Sequence, residues 1–453
     1  MIYYTICNII KEINSLLWGN FTIILIFSAG IFLTVRLRFL QFRNPIKLLR
    51  YTLSTSQKDN FNNKNTLSIL QSLSTALGAS MGTGNIIGVA AAISVGGPGA
   101  VFWMVVSSFF VMSFAFTENA LGVKYCQQNK TDTNAGAMSY IRTALLSDKA
   151  VKLYATACLL ASFGMGNSVQ ANAAAGSLDN IGVSSYLTGI VLMLIIGYIV
   201  FMGSKFAALV CERSVPFLSA AYIIFATMVL VIYRNNITVI LTNIIHSAFG
   251  WSAVSGGLSG TIIKQSLTTG LRRGMFSNEA GMGSSVFAHT SSGCKEPAAM
   301  GMWAIFEVFI DTVLCCTLTA LVILCTLTDY QNSDGTEIII HSFENAAGDF
   351  GKIFVIISTV IFAFAAILGW YFYGEKCVTY LFPNNNFALK LYKLLYSLTA
   401  FLGAILKLDL LWELSDTFNA LMFFPNLAAI LILSKEASLY AKKIISDFNK
   451  NTL

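Results

Sequence analysis

The chain has 453 residues, 55% hydrophobic and 11% charged, and its 29 basic and 22 acidic side chains leave a net charge of +7. Ordinary soluble domains carry roughly 25% charged residues, so this composition excludes a soluble fold and reads as an all-α polytopic protein of the lipid bilayer. The positive balance does not point to nucleic acid, because the basic residues fall in short segments between apolar runs.

Eleven runs have the roughly 17–25 residues needed to cross a bilayer. They lie near 16–35, 70–96, 100–122, 151–175, 186–203, 215–233, 237–263, 298–328, 352–373, 389–407 and 413–434. Lys11 and Glu12 precede the first run, which lacks a small-residue cleavage site and reads as a retained span. With the N-terminus outside and the spans alternating, nearly all Lys and Arg fall inside, including Lys264, Arg272, Arg273 and Lys295. Only Lys11, Arg234, Lys352 and Lys407 fall outside, and the 329–350 loop, outside, carries five acids and no Lys or Arg. This bias predicts a cytoplasmic C-terminus in a bacterial inner membrane.

The second run contains GASMGTGNIIGVA (78–90), too rich in Gly, Ser, Thr and Asn for an uninterrupted helix. Unpaired backbone in hydrocarbon costs several kcal/mol, so such a break persists only where it is packed in protein or lines a site. Unwinding at 82–84 frees the amides of Thr83 and Gly84 at a half-helix N-terminus, which suits a carboxylate. The carbonyls of Gly78, Ser80 and Met81, with the Asn85 side chain, suit a hard monovalent cation. The seventh run holds Asn243, His246 and a Gly/Ser stretch at 250–260, and reads as a second broken helix. Glycine in one span is explained by close helix packing. Two breaks five spans apart point instead to an inverted five-plus-five repeat, 67–233 and 237–434, with a midplane site. Residues 1–66 form an extra helix and loop, and 435–453 a cytoplasmic tail.

Three further groups stand out. Gln170, in NSVQANAAAGS (167–177), is either glue between helices or a partner for an ammonium group. Glu307 and Asp311 form an i,i+4 acid pair in the eighth span and would repel unless one is protonated or a cation lies between them. RRGMFSNEAGMGSS (272–285) reads as an inner mouth, with Arg273 and Glu279 as a gate pair joined by Asn278 and Glu307. It lacks the P-loop pattern. Nine scattered cysteines without a CxxC pair, and three histidines without HExxH, read as packing residues rather than metal ligands or catalysts. No catalytic constellation or cofactor site is expected.

The segments MGTGNIIGVA (81–90), GGPGAVFWM (96–104), RGMFSNEAGMGSS (273–285), FIDT (309–312), FAFAAILGWYFYGE (362–375) and FNALMFFPNLAAILIL (418–433) resemble the alanine or glycine:cation symporter family, which has a leucine-transporter-like fold. The resemblance covers nearly the whole chain. It implies symport of a small neutral amino acid, alanine or glycine, with sodium, by a monomer. It would put the substrate carboxylate on Thr83 and Gly84, and the rest of the substrate near Gln170, Gly256, Gly257, Leu258, Thr261 and Trp370. One cation would sit near Ser80, Asn85 and Asp311. A second would sit on the carbonyls of Gly78 and Met81, completed by the ninth span at Ala365 and Ala366. There the chain departs from the family, which usually carries Ser or Thr, and methyl groups cannot ligate an ion. A proton on Glu307 or Asp311 would replace the missing cation. Val105 replaces a usual aromatic, and Ala135-Gly136-Ala137 a usual Gly-Gly-Pro.

Overall fold

The computed structural model describes residues 10, 12–15, 17–56, 66–128, 135–250, 259–329, 334–406 and 408–449. These residues are almost entirely helical. In chain order the helices are α1 (Asn20–Arg36), α2 (Pro45–Ser56), α3 (Ile69–Ser80), α4 (Ile87–Gly96), α5 (Gly99–Gln128), α6 (Ala137–Leu145), α7 (Asp148–Phe163), α8 (Val169–Asp179), α9 (Ser185–Met202) and α10 (Ser204–Ile232). They continue as α11 (Arg234–Ala248), α12 (Ser259–Asn278), α13 (Ser285–Thr290), α14 (Pro297–Val308), α15 (Thr317–Thr326), α16 (Gly335–Leu381), α17 (Asn386–Ile405), α18 (Leu408–Ile432) and α19 (Ser434–Asn449). Wide π-helical turns at Gly164–Ser168 and Phe309–Cys316 join α7 to α8 and α14 to α15. α16 is kinked at Ala347 and Gly348, where Gly348 takes φ +60°.

Local sequence explains the starts. Ser68 and Gln71 form a reciprocal capping box on α3. Ser184, Asp334 and Asn385 each accept a main-chain N–H in the first turn of α9, α16 and α17.

Among the described residues, seven helical stretches are long and apolar enough to cross a membrane: Gly99–Gln128, Ser185–Met202, Ser204–Ile232, Pro297–Thr326, Gly335–Leu381, Asn386–Ile405 and Trp412–Ile432. The protein is a multi-pass membrane protein. Its outer faces carry exposed Phe217, Ile224, Leu194 and Phe387, while Glu118, Glu279, Glu307 and Asp311 are buried. Burial of acids inside an apolar shell is the inverse of a soluble core and suits lipid outside and a polar site inside.

The run 237–263, expected as a broken helix, is two separate helices among the described residues. α11 ends at Ala248, 251–258 lie outside the described residues, and a separate helix begins at Ser259. Nor do Lys264, Arg272 and Arg273 lie in an inner loop with Lys295. Gln265 donates to the Val95 carbonyl at 2.9 Å and Ser266 to that of Gly96 at 2.6 Å, at the start of α5. Lys295 sits at the opposite end of α5, its carbonyl taking the Gln127 amide at 2.6 Å. The eight described cysteines form no disulfide, and the described residues hold no cluster of metal-ligating side chains.

Candidate functional site

The helical ladder of α3 and α4 is interrupted at 81–86. The Met81 N–H closes on Leu77 O at 2.7 Å, but the Gly82 N–H turns to Ser80 O at 2.8 Å rather than reaching Gly78 O four residues back. A short 3-10 turn at Thr83–Asn85 follows. The regular pattern resumes where the Ala90 N–H reaches Ile86 O at 3.2 Å. The break expected at 82–84 is therefore present.

The Thr83 amide is not bare. It donates to Gln170 Oε1 at 2.9 Å, and the Thr83 hydroxyl donates to the same oxygen at 3.0 Å. The Gln170 amide nitrogen donates to Met165 O at 3.2 Å, which points the oxygen at Thr83. That oxygen caps the half-helix end. The Asn167–Gln170–Asn172 patch divides. Asn167 holds the Tyr396 carbonyl at 2.7 Å, and Asn172 holds those of Gly403 at 2.9 Å and Leu406 at 2.6 Å. Both are glue to α17, and only Gln170 reaches the break.

A second interruption separates α12 from α13 at 279–284, with left-handed backbone at Glu279 (φ +55°), Gly281 (φ +88°) and Gly283 (φ +73°). This is where the sequence suggested an inner mouth, not the 250–260 stretch. Gly256, Gly257 and Leu258 lie outside the described residues. Thr261 is eighteen residues before Glu279, about 27 Å along a helix rising 1.5 Å per residue, so it is remote from this break.

The two interruptions meet in a cluster of buried polar groups. Asn85 Nδ2 donates to Asp311 Oδ1 at 2.8 Å, and Ser277 Oγ donates to Asn85 Oδ1 at 2.7 Å. Asp311 Oδ2 lies 3.0 Å from Ser277 Oγ and accepts from Thr312 Oγ1 at 2.8 Å; Thr312 Oγ1 accepts from Asn278 Nδ2 at 3.2 Å. Asp311 is fully buried, and its side-chain hydrogen bonds to Asn85, Ser277 and Thr312 are all to neutral groups. Carboxylate, amide and hydroxyl oxygens together form a donor set for a hard cation. Ser80 stands apart, its hydroxyl reaching Leu77 O at 3.3 Å. Glu307 and Asp311 do not act as a pair: Asp311 turns to Asn85, and Glu307 Oε2 meets His289 Nε2 at 2.9 Å.

Ala365 and Ala366 do sit against the first break. A Cβ built on Gly78 would meet Ala365 O at 3.5 Å, and one on Gly82 would meet the Ala366 methyl at 3.0 Å. Both residues lie beside the 78–82 segment, and each presents a methyl side chain with no hydroxyl.

Arg273 and Glu279 do not form the expected gate pair. Arg273 stacks over Trp412 with its guanidinium 4.4 Å from the ring centre, and Arg272 pairs with Asp416 at 3.0 Å. Glu279 accepts from Trp370 Nε1 and from Ser284 Oγ, both at 2.7 Å. Trp370 thus braces the second break, packed against Gly166, where any side chain would collide with the indole. Sequence reasoning missed Glu118, fully buried in α5. It accepts Asn426 Nδ2 at 2.9 Å and the N–H groups of Gly283 at 3.2 Å and Gly281 at 3.4 Å. Tyr140 donates to Asn426 Oδ1. The only signal was one acid in an apolar run.

A small cavity opens between the breaks, lined by Ala79, Ser80, Gly84, Gly88, Met165, Gln170, Arg273, Ser277 and Trp412. As closed here its free space is water-sized.

Buried oxygen ligands, two interrupted helices and an apolar exterior define a cation-coupled amino-acid transporter once set beside the chain's relatives. Residues 3–452 match the model of the sodium:alanine symporter family, and the chain belongs to that family. It is 35% identical over 437 residues to the sodium/alanine symporter AgcS of Methanococcus maripaludis, covering 94% of each chain. It is also 35% identical to a transporter of Haemophilus influenzae, over 95% of this chain and 94% of that one. It is 33% identical to the probable sodium/glutamine symporter GlnT of Bacillus subtilis, over 94% of this chain and 88% of the relative.

Proposed function

We infer that the protein imports a small neutral amino acid, alanine or glycine, by symport with sodium and alternating access, as a monomer in a bacterial inner membrane. The observation that carries this reading is the Thr83 amide at an interrupted helix, held by a side-chain oxygen that a substrate carboxylate can replace. Thr83 and Gly84 take the carboxylate. Gln170, displaced, turns to the ammonium. Asp311, Asn85 and Ser277 hold sodium, whose charge offsets that of a buried carboxylate. Residues 67–233 and 237–434 form two inverted repeats. After α1, the interrupted crossings α3/α4 and α12/α13 are the first and sixth of ten, for eleven crossings in all. The N-terminus lies outside and the C-terminus in the cytoplasm.

Driving a two-state swing from 1:99 to 99:1 takes about 5.5 kcal/mol of differential binding, within reach of a zwitterion bound together with a cation. The test is uptake of labelled alanine into proteoliposomes, with sodium or choline outside and glycine, serine or glutamine as competitors. Sodium-driven accumulation supports the reading. Binding without exchange in counterflow overturns it in favour of a sensor that keeps the scaffold alone.

A second reading rests on Ala365 and Ala366. With methyl side chains at both positions facing Gly78 and Gly82, one cation site is weakened and a proton takes that place in coupling. Accumulation driven by a pH gradient without sodium would favour it.

A further inference from the structure

One ionisable pair has no role in the reading above. His289 on α13 and Glu307 on α14 approach to 2.9 Å between Nε2 and Oε2. The histidine is wholly buried, Glu307 is 5% exposed, and His289 Nδ1 has no hydrogen-bond partner among the described residues.

α13 packs on α5, α3 and α16, and α14 packs on α5, α2, α3 and α19. From α5 comes Glu118, from the second break Glu279, from α16 Tyr373, and from the π turn after α14 Asp311; each interacts electrostatically with Glu307. α3 carries no titratable side chain. The basic residues of α2, α5 and α19 are turned elsewhere. Lys47 and Arg50 of α2 and Lys442 of α19 are exposed, and Tyr51 of α2 is buried but neutral. Lys443 pairs with Glu296 at 3.1 Å, and Lys124 at the end of α5 with Glu436 at 2.6 Å. A neutral imidazole beside a carboxylate leaves one buried negative charge facing other acids. One added proton leaves the pair with no net charge and so removes the uncompensated buried charge.

The pair also sits at a mechanical junction. Ser72 Oγ donates to Ala288 O at 2.8 Å. The Leu67 N–H reaches Ser291 O at 2.9 Å, and the Gly293 N–H returns to Leu67 O at 3.1 Å. These bonds stitch the end of α13, beside His289, to the start of α3, whereas Glu307 belongs to the next helix. A swing of α3 with α13 therefore separates His289 from Glu307.

We propose that His289 and Glu307 together bind one proton, and that it exchanges when α3 and α13 move away from α14. Proton occupancy is then linked to the opening of that end of the transporter. The proposal rests on the transport reading for its consequence, but not for the site itself.

The full chain has three histidines, so nitrogen-15 labelling of histidine in the protein in lipid nanodiscs resolves His289, identified by its loss in His289→Gln. The His289 signal should respond to pH in the native protein. In Glu307→Gln that response should differ from the native one. The initial rate of alanine uptake at fixed sodium should vary with pH in the native protein and flatten to within about twofold in Glu307→Gln. A His289 signal that ignores pH, or a Glu307→Gln protein with the native pH profile, overturns the proposal. Absence of sodium-driven uptake in every arm would sink the transport reading, while the titration would still decide the proton site.

Discussion

Gly82→Ala is the most direct perturbation of the first break. Gly82 has φ −86° and ψ −156°, extended backbone that alanine adopts, so any effect comes from space. The new Cβ would stand 2.7 Å from Gln170 Oε1, 3.1 Å from Gln170 Cδ and 3.0 Å from the Ala366 methyl, against about 3.5–4.0 Å for carbon contact. Ala366 is fixed on a buried helix, so Gln170 must withdraw and both its bonds to Thr83 are lost. At about 0.5–1.5 kcal/mol net each, that is about 1–3 kcal/mol taken from the substrate-free conformation. A carboxylate that displaces Gln170 no longer has to break those bonds, so substrate binding should tighten by roughly 5- to 150-fold. The assay is alanine binding by calorimetry in sodium-containing detergent, with thermal unfolding to confirm the fold. Gly176→Ala is the control, because nothing lies within 4 Å of its Cβ. Native affinity and sodium dependence in Gly82→Ala would refute the placement of the substrate at this break.

Three other substitutions discriminate among the parts. Ala366→Ser restores an oxygen beside Gly82, and the sodium concentration for half-maximal uptake should fall severalfold; no change would remove Ala366 from any ion shell. Asp311→Asn keeps the shape but deletes the buried charge held by Asn85 and Ser277. Sodium activation of uptake should weaken at least about tenfold, and an unaltered sodium curve would disprove the cation site. Glu118→Leu strands the donors of Gly281, Gly283 and Asn426, at about 1–3 kcal/mol each. It should melt far below Glu118→Gln, which keeps an acceptor oxygen; equal melting temperatures would show that Glu118 does not brace the second break.

The first break was legible because glycine, threonine and asparagine crowd into positions 82–85, where neither helix propensity nor lipid tolerates them. The interruption at 279–284 was harder to read, for a physical reason. α12 reads SGTIIKQSLTTGLRRGMFSN, too polar to look like a span. Its polar groups are satisfied one by one: Ser266 on Gly96 O, Arg272 on Asp416, Arg273 on Trp412. Those partners lie 144 to 170 positions away in sequence or across a ring contact, and no local pattern announces them. Glu279 misled in the same way, since an acid near a Gly-rich stretch suggests a wet loop until Trp370 and Ser284 are seen to hold it. Asp311 was recognisable as an intramembrane acid, but its separation from Glu307 depends on the wide turn at 309–316, which helical spacing of four does not foretell.

Those wide turns have a consequence of their own. One precedes Gln170 and the other contains Asp311. A π turn accommodates one residue more than an α turn, and that surplus can travel along the chain. Each step of its migration twists the intervening side chains by about 100° about the helix axis, the increment of a 3.6-residue turn. Gln170 and Asp311 can thus be turned toward or away from Thr83 and Asn85 while the ends of their helices stay anchored in the lipid.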